Sequence, residues 1–314
     1  MFIGFDIGGT NVKYGLVNSK GEILEKSLFP TQHNRCALLE DITQIIKEYQ
    51  IRFEIKGIGV SAPGIIQDNG FMVTGGAIKE LYGTNLKEEI ENLTGIYTFV
   101  ENDANAAAIA EKWIGNAIGV DNYLCIVLGT GVGGGIVING DIYRGKHGMA
   151  GEFGYMMIHD INADEDVEDS SLNRNAAVVG GLYHQYSIEL AKKTFPREPV
   201  TNATEIMERA KNGEIEAQTV MKRFYQDISI GVVNLIAAYD PELVLIGGGI
   251  SANIEFIENL KKEISELVDR HQSMRFLKEK TIAQVLPTKL KNDAGLIGAV
   301  YQVQQKLNSM LVVK

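Results

Sequence analysis

The stretch DIGGTNVKYGLV, residues 6–17, closes an apolar run and turns on two glycines. Dinucleotide-binding and P-loop motifs open into a helix after their glycines. Here Val12, Tyr14, Leu16 and Val17 follow instead, and they read as a second strand. The bend is therefore that of a hairpin. A hairpin bend can also aim backbone N–H groups at an anion, and glycine lets the backbone approach closely.

Working outward, the opening reads as strands over 2–7, 12–17 and 22–29, with VNSKGEI as the second turn. A helix is expected near 35–50, with Leu38, Leu39, Ile42, Ile45 and Ile46 on one stripe. IKGIGVSAPG is a strand that ends in a Pro-Gly turn at Gly64. IYTFVENDANAAAIAEKWIG reads as a strand over 96–100, a short junction and a helix from about 103. NYLCIVLGTGVGGGIVINGDIY, residues 122–143, then repeats the opening pattern: strand, glycine-rich bend, strand, turn, strand. YGLV matches GGIV and SKGEI matches NGDI, one internal repeat across ~120 residues, which suggests duplicated domains rather than a solenoid. A long helix is expected over 214–238, PELVLIGGGIS is a buried strand and glycine turn leading into a helix, and NDAGLIGAVYQVQQKL is a closing helix.

The 314 residues suffice for two lobes with a real core. A formal net charge of -10 without any basic block argues against nucleic acid as a partner, though not against a nucleotide. Cys36 and Cys125 make no disulfide framework and suit a reducing, cytoplasmic setting. No signal peptide and no membrane-spanning run of ~18 apolar residues is expected.

The first hairpin DIGGTNVK, the second LGTGVGGG, the junction ENDANAAA, the strand-turn VLIGGGIS and the closing DAGLIGA occur in the order of a two-lobed sugar-kinase fold. In these motifs the chain resembles the ROK family of sugar kinases and sugar-responsive repressors, within the actin-like/hexokinase superfamily, and a β-glucoside kinase among its zinc-less members. The resemblance implies an α/β, ribonuclease H-like actin-like ATPase fold with duplicated mixed β-sheets and a cleft between lobes. The lobes would comprise 1–117 plus 293–314 and 118–292. It implies ATP and Mg²⁺, with Gly8, Gly9, Thr10 and Lys13 facing the phosphates from one lobe, and Gly129, Thr130 and Gly131 from the other. Asp6 would hold Mg²⁺, most simply through water. Gly247 and Gly248 would lie along the adenosine. Asp103 would be the catalytic base that accepts the proton of the attacking hydroxyl. The plainer reading of Asp103 is an N-cap, and a helix N-terminus favours its charged form. Asn102 and Gly64 would touch the sugar, Glu152 would accept a hydrogen bond from a ring hydroxyl, and Glu101 reads as structural. Homodimers or homotetramers are common in the family.

The chain departs from the family pattern after Glu152. GEFGYMMIHDINADEDVEDSSLNRNAAVV has Tyr155 where the family has histidine, and no cysteine follows Cys125. The family's zinc knuckle needs close-set Cys and His ligands, so no zinc is expected. Asp160, Asn162 and Asp164 begin like a calcium loop, but Glu165 and Ser171 occupy its glycine and final glutamate positions, so the acidic run reads as a solvated loop. Asn173 aligns with the family's second sugar-binding glutamate. Changing the groups near C1 and C2, with a tyrosine face at hand, points to a sugar substituted at C1, such as cellobiose, phosphorylated on a 6-hydroxyl. Glucose and N-acetylmannosamine are the alternatives. A repressor would carry a helix-turn-helix ahead of the first hairpin, whereas that motif starts at Asp6. A non-catalytic sugar-responsive regulator and, more remotely, a filament-forming protein are the rival classes.

Overall fold

The structure, a computed structural model, describes residues 1–192, 200–278, 280 and 282–312. The first elements are β1 (Phe2–Ile7), β2 (Asn11–Val17), β3 (Ile23–Pro30), α1 (Arg35–Arg52), β4 (Gly57–Ala62), β5 (Phe71–Met72), β6 (Thr84–Asn85), α2 (Leu86–Thr94), β7 (Thr98–Asn102) and α3 (Asp103–Ile114). There follow β8 (Tyr123–Leu128), β9 (Val132–Ile138), β10 (Asp141–Ile142), α4 (Leu172–Ala176), α5 (His184–Ala191), α6 (Ala203–Lys211) and α7 (Ile215–Tyr239). The last are β11 (Leu243–Gly247), α8 (Ile254–Arg270), β12 (Gln284–Pro287) and α9 (Ala294–Val312).

Two five-stranded mixed sheets have the orders β3-β2-β1-β4-β7 and β10-β9-β8-β11-β12. In the first, β1 runs antiparallel to β2 and parallel to β4, and β4 runs parallel to β7. In the second, β10 is antiparallel to β9, while β11 is parallel to both β8 and β12. The internal repeat of the sequence is thus a repeat of strand order, with a glycine hairpin at the same place in each sheet. The strand expected over 96–100 lies two residues later, at Thr98–Asn102, because it pairs with Ile58–Ala62 of β4. Between Gly249 and Ala252 a short 3-10 turn precedes α8, where the sequence suggested that the glycine turn would enter the helix directly.

Contacts divide the chain into two compact units. One holds Met1–Gly119, Gly135–Gly151 and the segment from Asn292, and the other holds Val120–Gly134 and Glu152–Lys291. Residues 135–151 therefore group with the first unit, whereas the sequence reading set all of 118–292 apart. The packing explains why: a Cβ on Gly135 would lie 2.6 Å from the Ala108 methyl of α3. That intimacy ties the end of β9 to α3.

In the first unit, β4 (GIGVSA) is buried along its whole length, as suits a parallel strand covered on both faces. One cover is α1, whose Leu38, Ile42 and Ile46 join Ile3, Phe5 and Val60 in a single core. The other is α9, which packs on β1, β4 and α3. It comes so close that a Cβ on Gly59 would sit 2.3 Å from the Ala299 carbonyl, and one on Gly298 would sit 1.8 Å from the Ala106 oxygen. In the second unit, α7 packs against α4, α5, α6 and α8. Its buried face carries Val220, Phe224, Ile228 and Val232.

Candidate active site

The first hairpin is closed by the Gly8 N–H donating to the Asn11 carbonyl at 3.0 Å. Thr31 fixes it from behind: its hydroxyl donates to the Gly8 carbonyl at 2.6 Å and its N–H to the Thr10 carbonyl at 2.9 Å. With those carbonyls turned inward, the exposed Gly9 and Thr10 keep backbone N–H groups with no partner among the described residues. Two adjacent free donors of this kind make an anion nest. Thr31 carried no signal in the sequence, because its partners lie in a bend more than twenty residues earlier.

Asp6, next to last in β1, faces Lys13 across the ladder. Its Oδ2 accepts from Lys13 Nζ at 3.3 Å and its Oδ1 from the Ser61 hydroxyl at 2.9 Å. Lys13 Nζ also donates to the Asn292 carbonyl at 3.2 Å. The lysine thus engages two of its three N–H donors inside its own unit.

At the junction of β7 and α3, the N-cap is Asn102 rather than Asp103. Asn102 Oδ1 accepts from the N–H groups of Ala104 at 2.9 Å and Asn105 at 3.0 Å. Its amide nitrogen donates to the Gly64 carbonyl at 2.9 Å. A carboxamide has two donor hydrogens, so one of them stays available. Asp103 is the first helical residue and is exposed, with its Oδ1 accepting from the Ala104 N–H at 2.8 Å. Capping by Asn102 fixes the start of α3, and the start of α3 fixes where the Asp103 carboxylate stands.

Glu101 lies just before this pair and is almost wholly buried. Its Oε1 accepts from the Asn102 N–H at 3.1 Å and from Asn105 Nδ2 at 3.2 Å. Its Oε2 accepts from Arg144, whose Nη2 lies 2.5 Å and Nε 3.2 Å away. A buried carboxylate needs such a partner, since unpaired it would carry a desolvation penalty of several kcal/mol.

The second unit holds the second hairpin, where the Gly129 N–H donates to the Gly131 carbonyl at 2.9 Å. The N–H groups of Val178, Val179 and Gly180 turn the Gly129 and Thr130 carbonyls inward. Asn173 completes this support: its Oδ1 accepts from the Val132 N–H at 2.9 Å, while its nitrogen donates to Glu168 at 3.2 Å. The side chain aligned with a sugar-binding glutamate therefore holds the hairpin. Glu152 is half-buried, and burial pushes its carboxyl above the usual range. Tyr155 presents an exposed ring. Gly248 has φ +88°, and a Cβ there would meet the Leu128 carbonyl at 2.0 Å, so this glycine is required by its own unit; beside it, Gly249 borders open space.

Where the family has its zinc knuckle, short polar side chains organise the backbone. Asp166 caps the turn at Glu168, the Ser170 hydroxyl donates to the Asp160 carbonyl at 2.8 Å, and Asn175 donates to the carbonyls of Asp169 and Ser171. Among the described residues, no three His, Cys, Asp or Glu side chains gather to hold a metal. The segment is fastened to α7 by His159 Nε2 and Asp227 Oδ1 at 3.0 Å. Burial raises the Asp227 carboxyl from 3.8 to about 6, with His159 opposing the shift. The native value exceeds the unfolded one, so this group's contribution to stability is fully present below pH 3.8 and is lost as pH rises through about 6. Asp227→Asn removes that dependence. Its melting temperature, followed by circular dichroism from pH 4 to 7, is expected to gain on the parent's as pH rises.

A pair of like-ordered mixed sheets, each with a glycine hairpin, and a strand-helix junction that presents an aspartate define the actin-like carbohydrate kinases that use ATP. The chain belongs to the ROK family, which it matches over residues 2–306. It is 37% identical over 306 residues to a β-glucoside kinase of Listeria monocytogenes, covering 97% of each chain. It is 32% identical over 327 residues to a glucokinase of Halalkalibacterium halodurans, covering 98% of this chain and 96% of that one. A ROK family glucokinase of Streptomyces griseus, solved with glucose and AMPPNP, superposes with a TM-score of 0.80 at 25% identity, covering 97% of this chain and 99% of that one. No helix among the described residues is long and apolar enough to cross a membrane.

Proposed function

We propose that this protein transfers the γ-phosphoryl group of ATP to the 6-hydroxyl of a β-glucoside, with Asp103 accepting the hydroxyl proton. The observation that carries the reading is the exposed Asp103 carboxylate at the first position of α3, beside an Asn102 amide with one donor to spare. The hydroxyl oxygen forms the new bond to phosphorus as the bond to the ADP oxygen breaks, and the proton passes to Asp103. Phosphoryl transfer has a loose transition state, so placing the acceptor and stabilising charge matter more than an early proton transfer. A carboxylate held at the first position of a helix suits that demand. The N–H groups of Gly9 and Thr10, and the second hairpin, suit the phosphates.

Magnesium fits Asp6 as an outer partner. Both oxygens already accept one hydrogen bond, from Ser61 and Lys13, and a carboxylate retains further lone pairs for a metal-bound water. Magnesium bound with the nucleotide would neutralise charge on its phosphates.

The β-glucoside is favoured by the relatives of that name and by Tyr155, an exposed aromatic face where the family has histidine. ADP release with Mg-ATP, measured on glucose, N-acetylmannosamine, methyl β-glucoside and cellobiose, tests the reading. The glucosides are expected to give the highest kcat/KM, and a win for glucose or the amino sugar would replace the substrate while leaving the kinase. Tyr155→His is expected to lower kcat/KM for cellobiose about tenfold, the scale of one good contact. A variant that gained on glucose with cellobiose intact would remove the tyrosine from the argument.

A further inference from the structure

A cavity of about 370 Å³ opens within the first unit. Gln67, Asp68 and Asn69 line it from the loop after β4, and Arg144, Lys146 and His147 from the loop after β10. This volume falls at the small end of ligand pockets, which run from about 300 to 1,000 Å³. It has no part in phosphate binding or proton transfer as described above.

Its position is tied to the acceptor end of the proposed site from two sides. Gly64, whose carbonyl accepts from Asn102, is three residues before Gln67, at most about 11 Å of chain. Arg144 is bonded to Glu101, the residue before Asn102. The two loops are locked together, because a Cβ on Gly148 would lie 2.2 Å from the Ile66 carbonyl. The cavity is thus built into the same framework that sets Asn102 and Asp103.

The lining identifies the occupant. Two amides, a carboxylate, a guanidinium, an ammonium and an imidazole face the space, with no apolar side chain among them. Charge is nearly balanced: Arg144 pairs with Glu101 and also stands 3.8 Å from Asp68, so its charge is answered, and of the cations Lys146 is set against two carboxylates sharing one guanidinium. An anion would want an excess of cations, and an aryl group would want an apolar wall. A neutral, hydroxyl-rich ring matches donors and acceptors of both kinds. We propose that this cavity takes a second, neutral pyranose ring, joined at C1 to the ring whose 6-hydroxyl is phosphorylated. The inference rests on the kinase reading above and sharpens it from β-glucosides in general to disaccharides.

The test is the double variant Gln67→Ala/Lys146→Ala, assayed on cellobiose, phenyl β-glucoside and methyl β-glucoside, the last sharing the C1 linkage but lacking a second ring. For cellobiose, kcat/KM is expected to fall at least tenfold through KM, with methyl β-glucoside within twofold of the parent. Equal losses on all three, or no loss on cellobiose, would overturn the proposal. A loss on phenyl β-glucoside as large as that on cellobiose would overturn the assignment to a polar ring. If the parent turns over no sugar, the kinase reading falls, and calorimetry with cellobiose decides the cavity separately. Binding lost in the double variant supports it, and binding unchanged overturns it.

Discussion

Asp103→Asn is expected to lower kcat by about 10²–10⁴, the range that positioned proton acceptors contribute, with KM for the sugar changed little. The substitution is nearly isosteric, and an asparagine oxygen can still accept from the Ala104 N–H that Asp103 now engages. Asn102, which holds the cap, is untouched. The fold loses the favourable placement of a negative charge at a helix N-terminus, about 1 kcal/mol or less. Thermal unfolding of the variant alongside turnover separates the two effects. A variant that melts normally and keeps more than a tenth of parental kcat would show that another group receives the proton.

Gly298→Ala is expected to be a severely destabilising small substitution. The added methyl would sit 1.8 Å from the Ala106 carbonyl oxygen, an atom held by its own helix and unable to step aside. Overpacking of a tight interior costs about 1–3 kcal/mol when side chains can yield. Here backbone must move, and a loss of about 3 kcal/mol or more is expected. Chemical denaturation would read this as a lower midpoint with an unchanged slope. Specific activity per folded molecule in the cold tells whether the shift reaches Asp103, which stands three residues before Ala106 at the same end of α3. A neutral result would mean that α3 and α9 can separate freely at this crossing.

Much of the architecture is legible in the chain because alternation and glycine bends are local signals. Val12 to Val17 alternate as a strand should, and the hairpin at Gly8 follows from residues within four positions of it. The repeated strand order is legible for the same reason. Contacts between distant residues are not. Glu101 and Arg144 are 43 positions apart, so nothing near the glutamate announces its partner. The support that Asn173 gives to Val132 across 41 positions is hidden in the same way. The cap shifts from Asp103 to Asn102 because adjacent Asn and Asp are both good cap residues. Only the two bonds from Ala104 and Asn105 decide between them. At Gly248 the sequence shows that a glycine is wanted but not by what; the claimant is the Leu128 carbonyl.

The covering of β1 and β4 by α9 has a consequence for biogenesis. The ribosome releases residues 2–7 first, but the helix that lies on them is made last, after residue 294. At about 5–20 residues per second, the interval is roughly 15–60 s. Through that time one face of the first sheet has no partner, and by its end every residue of the second unit has been synthesised. The chain of the later-encoded half is therefore complete before the first sheet is covered, and until α9 arrives the face of β1 and β4 that carries Gly4 and Gly59 stays open.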